Sequence, residues 1–452
     1  FLTKNTDIIF THEICGLVSL GAIIAALQLY RNKKEHVKST TIPWAEAITW
    51  LIVSLWGLAI QFKIVVYGAQ LGWAGDWIEH YERSIFFLEQ LPPNTTFLNG
   101  LWTLSARAPL FNSVAGLLMS GLGKDFWVYQ IIATVLNAFP VLCLALLLQS
   151  ISGLKRIPAL IWSGLIFALA PFALQQVIYT WTKMFTTGFI LVGVHFYVKG
   201  AKNGDTSRMA WAFMSFALGI LAHFMTVLFA VFFLIHFLHK IIKKQCKIDQ
   251  VIYPMSSCIL LVSTWIVFLI ANFGMIGVFT ANNTLGGTHT ETFHRKHGIT
   301  MSPGEVFWTN TLTTLVPYSL RRDWVGWARS PDPIKMGWLL KPDNTSQEET
   351  KINSQIVWKL DLINNQSTLP GNIGWAGFTA FLTALILYFW RRKKSNYRIK
   401  FPTEENKLVP GTKFWLTFFI CGIFINLFCF KVYSPQGTAY SGQLPFFPLI
   451  AV

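Results

Sequence analysis

The chain has 452 residues, of which 53% are hydrophobic and only 13% charged, and its mean hydropathy is positive. That balance excludes a soluble globule and predicts an all-α polytopic membrane protein. The net charge of +16 does not point to nucleic acid, because Lys and Arg lie in short runs between apolar spans, as cytoplasmic loops require.

An apolar segment from about Ile8 to Tyr30 is long enough to span a bilayer. Arg31, Lys33, Lys34 and Lys38 follow it and mark the cytoplasmic side. A second span, from about Trp44 to Tyr67, emerges outside. The polar stretch from Asp76 to Phe87 then lies in a first extracytoplasmic loop. As a helix it places Asp76, His80 and Arg83 on one face. Ile78, Tyr81, Ile85 and Leu88 form an apolar face that can lie on a membrane. Pro109 can start a second interfacial helix, with Leu110, Val114, Leu117 and Leu118 as its stripe and Gly121 and Gly123 as its end.

A span from about Phe126 to Leu148 runs inward to Lys155 and Arg156, and 157–174 returns outward. Residues 175–183 make a narrow outer turn closing at Lys183, and the next run is inside by Lys199 and Lys202. The apolar run 208–239 is long for one span, and His223 interrupts it. Two short spans meeting near His223 keep Lys240, Lys243, Lys244 and Lys247 inside. Residues 253–273 go out, 374–390 return to Arg391 and Arg392, 414–430 span again, and 444–449 open another span.

Five regions result: transmembrane spans over 1–67, a first extracytoplasmic loop with amphipathic helices over 68–125, a transmembrane core over 126–273, a large extracytoplasmic loop over 274–370, and C-terminal spans over 371–452. About ten or more transmembrane helices are expected. The four N-x-[ST] sequons, at Asn94, Asn282, Asn344 and Asn365, all fall outside. The six Cys show no metal-binding or disulfide spacing. The start at Phe1 and the end within an apolar run look like parts of a longer chain.

Four features resemble the polytopic glycosyltransferases of the GT-C class, which include protein O-mannosyltransferases, lipid A aminoarabinose transferases and oligosaccharyltransferase catalytic subunits. They are Gly75-Asp76-Trp77-Ile78-Glu79-His80-Tyr81 in the first outer loop, Arg107-Ala108-Pro109-Leu110 opening the next helix, Gly219-Ile220-Leu221-Ala222-His223 between short spans, and a late loop from Tyr440 to Pro448. The commoner bacterial form has a second proline where Ala108 stands and often a lysine where His223 stands. Relatives often have two adjacent acidic residues where Asp76 is followed by Trp77.

The resemblance implies a sugar carried on a polyprenyl phosphate and transferred outside the cytoplasm, with inversion, to a lipid, glycan or protein acceptor. It implies a multi-pass protein of a bacterial inner membrane or an ER-like membrane, with membrane lipid as surroundings and room for a larger membrane complex. Such chemistry needs a carboxylate to take the acceptor proton and cations to offset charge on the departing phosphate. Asp76 is the expected base; its bland alternative is an acidic residue favouring a helix N-terminus. Arg107, Lys183 and His223 are expected at the donor phosphate, although Lys183 could snorkel and His223 could pack between helices.

His80 and Arg83 either orient Asp76 or pair with Glu79 and Glu82 on a wet surface. Glu305 and Tyr440 are further supporting candidates. No cofactor is required, but a divalent metal is compatible with His289, Glu291, His294 and His297, whose spacing matches no defined motif. A flippase of lipid-linked saccharide and a non-catalytic subunit are the competing readings. A transporter should concentrate its ionisable groups at the bilayer midplane, whereas most of these fall at the outer interface.

Overall fold

The computed structural model describes residues 44–59 and 74–280, apart from 99, 101, 170, 179, 225 and 246–247, together with 382, 383, 386, 414 and 417. The expected spans over 8–30, 374–390, 414–430 and 444–449, and most of the large loop, lie outside these residues, as do Asn282, Asn344 and Asn365.

The described part is helical except for one small hairpin. Helix α1 covers Trp44–Ala59. In the first outer loop come α2 (Ala74–Glu89), strands β1 (Thr96–Phe97) and β2 (Trp102–Thr103), a 3-10 turn (Leu104–Ala106) and α3 (Leu110–Leu122). The strands pair antiparallel, with Thr96 opposite Thr103 and Phe97 opposite Trp102. Pro109 caps α3, and Gly123, at φ 119°, ends it where an L side chain would be strained. Both ends agree with the sequence expectation. The hairpin was not anticipated; its strands are too short for a period-2 pattern.

Helices α4 (Phe126–Ala138) and α5 (Pro140–Ser152) follow, with Pro140 at the first helical position of α5. The outward run of 157–174 becomes two helices, α6 (Arg156–Leu169) and α7 (Pro171–Ile178). Helices α8 (Lys183–Asn203), α9 (Thr206–Ala222), α10 (Thr226–Ile242) and α11 (Ile248–Thr280) complete the described chain. The interruption expected at His223 is real: this residue is extended, at φ −162°, and separates α9 from α10. Among the described residues, three stretches are long and apolar enough to cross a membrane: Phe126–Ser150, Lys183–Asn203 and Gln250–Met275. Large apolar side chains are exposed on α1 (Ile48, Ile52), α6 (Ile157, Ile161) and α11 (Ile259, Ile266).

Helices α8 and α9 form a tight antiparallel pair joined at Gly204 and Asp205. Gly204 is left-handed, and Asp205 accepts the Arg208 N–H as a cap. Glycines let this pair close: Gly193 faces Phe216, and Gly200 faces Met209. At the other end of the pair, Lys183 lies close enough to His223 to act on its imidazole. The main core fills the space among α5, α8, α9 and α10, with Phe216 and Phe233 stacked at 5.2 Å.

Helix α2 packs against α3 and α4 on one side and against the hairpin and α11 on another. Tyr81, Ile85 and Leu88 pack with Phe111, Tyr129 and their neighbours on α3 and α4. The apolar face expected to lie on a membrane is therefore partly covered by α3 and α4, with Tyr81 and Ile85 also lining an open pocket. Phe86 joins a second cluster with Phe97 and Leu104, which reaches Trp265 and Phe268 of α11. Gly116 is where α2 and α3 touch most closely: a Cβ there would sit 2.6 Å from the Ser84 carbonyl oxygen. Gly116→Ala is expected to cost about 1–3 kcal/mol through overpacking against backbone that cannot swing aside. A thermal melt of the purified variant checks this.

Candidate functional site

The site begins with the helix geometry of α2. Asp76 lies in its first turn, with Glu79, His80 and Arg83 following at helical spacing. Glu79 and Arg83 form an i,i+4 pair, with Arg83 Nη2 2.8 Å from Glu79 Oε1. Nothing about this pair is superficial, since the two side chains are 0% and 1% exposed. Arg83 thus pairs with Glu79, as one of the sequence alternatives had it, but in the interior rather than on a wet surface, because the hairpin and the 3-10 turn cover the pair.

Arg83 ties α2 to that cover. Its Nη1 donates to the Leu104 carbonyl at 3.1 Å and its Nη2 to the Thr103 carbonyl at 2.8 Å. Its guanidinium also lies 4.3 Å from the Phe97 ring centre. The chain then passes through the 3-10 turn and delivers Arg107 to the same carboxylate. Arg107 Nε donates to Glu79 Oε1 at 3.1 Å, and Nη2 donates to Oε2 at 3.0 Å, a forked arrangement. Trp102 stands behind Arg107, its ring centre 5.1 Å from the guanidinium carbon.

Burial by itself raises the Glu79 carboxyl, but Arg107, Arg83 and His80 outweigh it and hold the group at about 2, below its ordinary 4.5. Burial also lowers Arg83 from 12.5 to about 10, with Glu79 opposing the change. Glu79 and Arg83 therefore stay charged at neutral pH.

His80 faces α3, where its Nδ1 and Asn112 Oδ1 are 3.1 Å apart, both side chains buried. Lys183 opens α8 and is 9% exposed. Its Nζ sits 3.5 Å from the Trp181 ring centre. The turn before it is pinned from three directions: Tyr129 Oη donates to the Thr180 carbonyl at 2.7 Å, Asn137 Nδ2 to the Trp181 carbonyl at 3.0 Å, and Trp181 Nε1 to Gln176 Oε1 at 2.7 Å. Asn137 Oδ1 also accepts the Phe185 N–H.

His223 closes the cluster. Burial, then the positive fields of Lys183, Arg107 and His80, keep its imidazole well below the ordinary histidine range. Lys183, Arg107 and His80, brought from separate elements, thus lie within electrostatic reach of His223. Around them, Asn112 Nδ2, Thr180 Oγ1, Thr182 Oγ1 and Thr226 Oγ1 are buried with no hydrogen-bond partner among the described residues. Buried polar atoms ordinarily have one.

Of the residues singled out from sequence, Arg107, Lys183, His223, His80 and Arg83 are brought together, and Asp76 lies one turn from Glu79. Glu305, Tyr440, His289, Glu291, His294 and His297 lie outside the described residues. Among the described residues, no group of three or more His, Cys, Asp or Glu could hold a metal. Sequence reasoning treated Glu79 as a surface partner and did not single out Asn112, Asn137, Trp102 or Trp181. The one available signal was the i,i+4 Glu79–Arg83 spacing beside a cluster of aromatics.

A broad open pocket of about 790 Å³ lies elsewhere, bounded by Glu82, Glu89, Leu91, Phe97, Gly100 and Lys124 among others. It includes neither Glu79 nor Arg107, and it belongs to a different flank of α2.

No family model matches the sequence, and no curated protein matches it. Solved structures do. The chain is similar to the oligosaccharyltransferase of Archaeoglobus fulgidus in its apo form, at 12% identity and TM-score 0.45, covering 92% of this chain and 51% of that one. It spans about half the length of that protein. It is also similar to ArnT from Cupriavidus metallidurans bound to undecaprenyl phosphate, at 12% identity and TM-score 0.42, covering 90% of this chain and 76% of that one. ArnT in the apo state matches at 11% identity and TM-score 0.37, with the same coverage. These neighbours are GT-C glycosyltransferases, the class that the first-loop and Arg107 stretches resemble.

Proposed function

We propose that this chain is a membrane glycosyltransferase that moves a sugar from a polyprenyl-phosphate donor to an extracytoplasmic acceptor by inverting displacement. The observation that carries the reading is the convergence of Arg107, Lys183 and His223 beside the helix that bears Asp76. Two of these cations are backed by indole rings, which orient them at little entropic cost. The orphaned hydroxyls of Thr180, Thr182 and Thr226 suit a polar, oxygen-rich ligand. Charge supports an outer placement: Lys183 and His223 share one end of the α8–α9 pair, whereas Lys199, Lys202 and Arg208 lie at the other.

In this mechanism Asp76 takes the proton of the acceptor hydroxyl as its oxygen attacks C1 of the sugar. The new C1–O bond forms on the face opposite the phosphate. The old C1–O bond breaks, and its electron pair leaves with the phosphate, whose growing charge Arg107 and Lys183 offset. His223, held neutral, adds no further positive charge and can donate or accept a hydrogen bond there. Glu305 and Tyr440 remain supporting candidates.

Binding of undecaprenyl phosphate to the purified protein tests the reading. Arg107→Gln and Lys183→Gln are each expected to weaken it by about tenfold or more, the scale of a lost charge-assisted bond. Wild-type affinity in both variants would remove the phosphate site and the function built on it.

A further inference from the structure

The pairing of Arg107 with a fully buried carboxylate is not what phosphate binding alone asks for. A cation meant only to grip an anion gains nothing from a second anion at hydrogen-bond distance. Glu79 nevertheless takes two of its donors, Nε and Nη2, in a fork of 3.1 and 3.0 Å. Arg83 occupies the same carboxylate from the other side, through Nε at 2.8 Å, and is itself anchored to the Thr103 and Leu104 carbonyls. Glu79 is therefore shared between two cations and is completely enclosed.

We infer that Glu79 is a positioning residue that sets both the orientation and the effective charge of Arg107, so that the polyprenyl phosphate left after transfer is held weakly enough to leave. The inference rests on the reading of Arg107 as a phosphate-contacting group. Two effects act through one carboxylate. The fork fixes the plane of the guanidinium and ties it to α2, the helix that also carries Asp76. The negative charge opposes any second anion at Arg107, and low-dielectric surroundings strengthen that opposition. Arg83 moderates it, because a carboxylate shared between two guanidiniums withdraws less from each.

The two effects separate by sign. Glu79→Gln keeps the size of the side chain and one oxygen acceptor but removes the charge. If Glu79 tempers Arg107, the variant binds undecaprenyl phosphate more tightly than wild type, by about fivefold or more, the lower range of coupling between neighbouring sites. Turnover then falls while inhibition by added undecaprenyl phosphate increases. A merely structural role predicts the opposite, weaker binding along with loss of stability.

Because Glu79→Gln leaves Arg83 buried without its carboxylate, the double variant E79Q/R83M is measured beside it. That pair removes both buried charges from α2 and leaves Arg107 in place, and it too is expected to bind the phosphate more tightly. Equal or weaker binding in a folded single or double variant overturns the inference. Arg107→Gln keeps the two levels apart. If it leaves binding unchanged, the phosphate reading itself fails. If it weakens binding while E79Q/R83M does not tighten it, only the role of Glu79 fails.

Discussion

In the proposed reaction, replacing Asp76 by Asn is expected to lower transfer by about 10²–10⁴-fold, the range that a positioned general base supplies. The substitution keeps the shape and some hydrogen-bonding capacity of the side chain while removing its ability to accept a proton. Asp76 lies in the first turn of α2, and that helix is fixed by contacts further along it: the Glu79 and Arg83 pairs, the His80–Asn112 contact and the Tyr81 packing. The helix and the phosphate site should therefore survive the change. Undecaprenyl phosphate affinity is expected to stay near wild type while product formation is lost. Full activity in Asp76→Asn excludes this residue as the base, and a collapse of both quantities would assign it to folding instead.

Breaking the buried ion group from one side only carries the largest stability cost. Glu79→Gln leaves Arg83 inside α2's packing without its carboxylate and is expected to cost about 3–5 kcal/mol, whereas Arg83→Met leaves Glu79 still forked to Arg107 and is expected to cost less. Removing both together should cost clearly less than the sum, because no uncompensated charge remains on the helix. Thermal melts of the two single variants and the double variant give the coupling directly.

The same carboxylate gives a pH signature. Its folded-state value of about 2 lies below the ordinary 4.5, so it binds a proton more readily when unfolded. Its contribution is fully present above about pH 4.5 and is lost as pH falls toward 2. Wild type should lose stability over that acid range, and E79Q/R83M should lose less. Equal acid sensitivity in both would show that other groups control the transition.

Much of the layout was legible before any coordinates. Pro109 and Gly123 mark the ends of α3 because one has a fixed φ and the other tolerates a positive one. A run too long for one span, with an imidazole in its middle, marked the break between α9 and α10. Arg107, Lys183 and His223 stood out because charge is costly among apolar helices.

Partner choice was the hidden part. Glu79 offers the same spacing to a wet surface pair as to a buried one. Only the hairpin and 3-10 turn, folding over it, decide between them. The faces of α2 misled for a related reason: an apolar stripe fits lipid and protein equally well, and α3 happens to return across part of it. The division of 157–178 into α6 and α7 was not read either, because Pro171 follows an unbroken apolar run that hides the boundary.

The contact at Gly116 has a mechanical meaning. With main chain against main chain at this point, α2 and α3 cannot slide past each other there without opening the contact. Glu79 rides on the first of these helices and Arg107, its forked partner, stands just before the second, so the fork between them is braced from both sides.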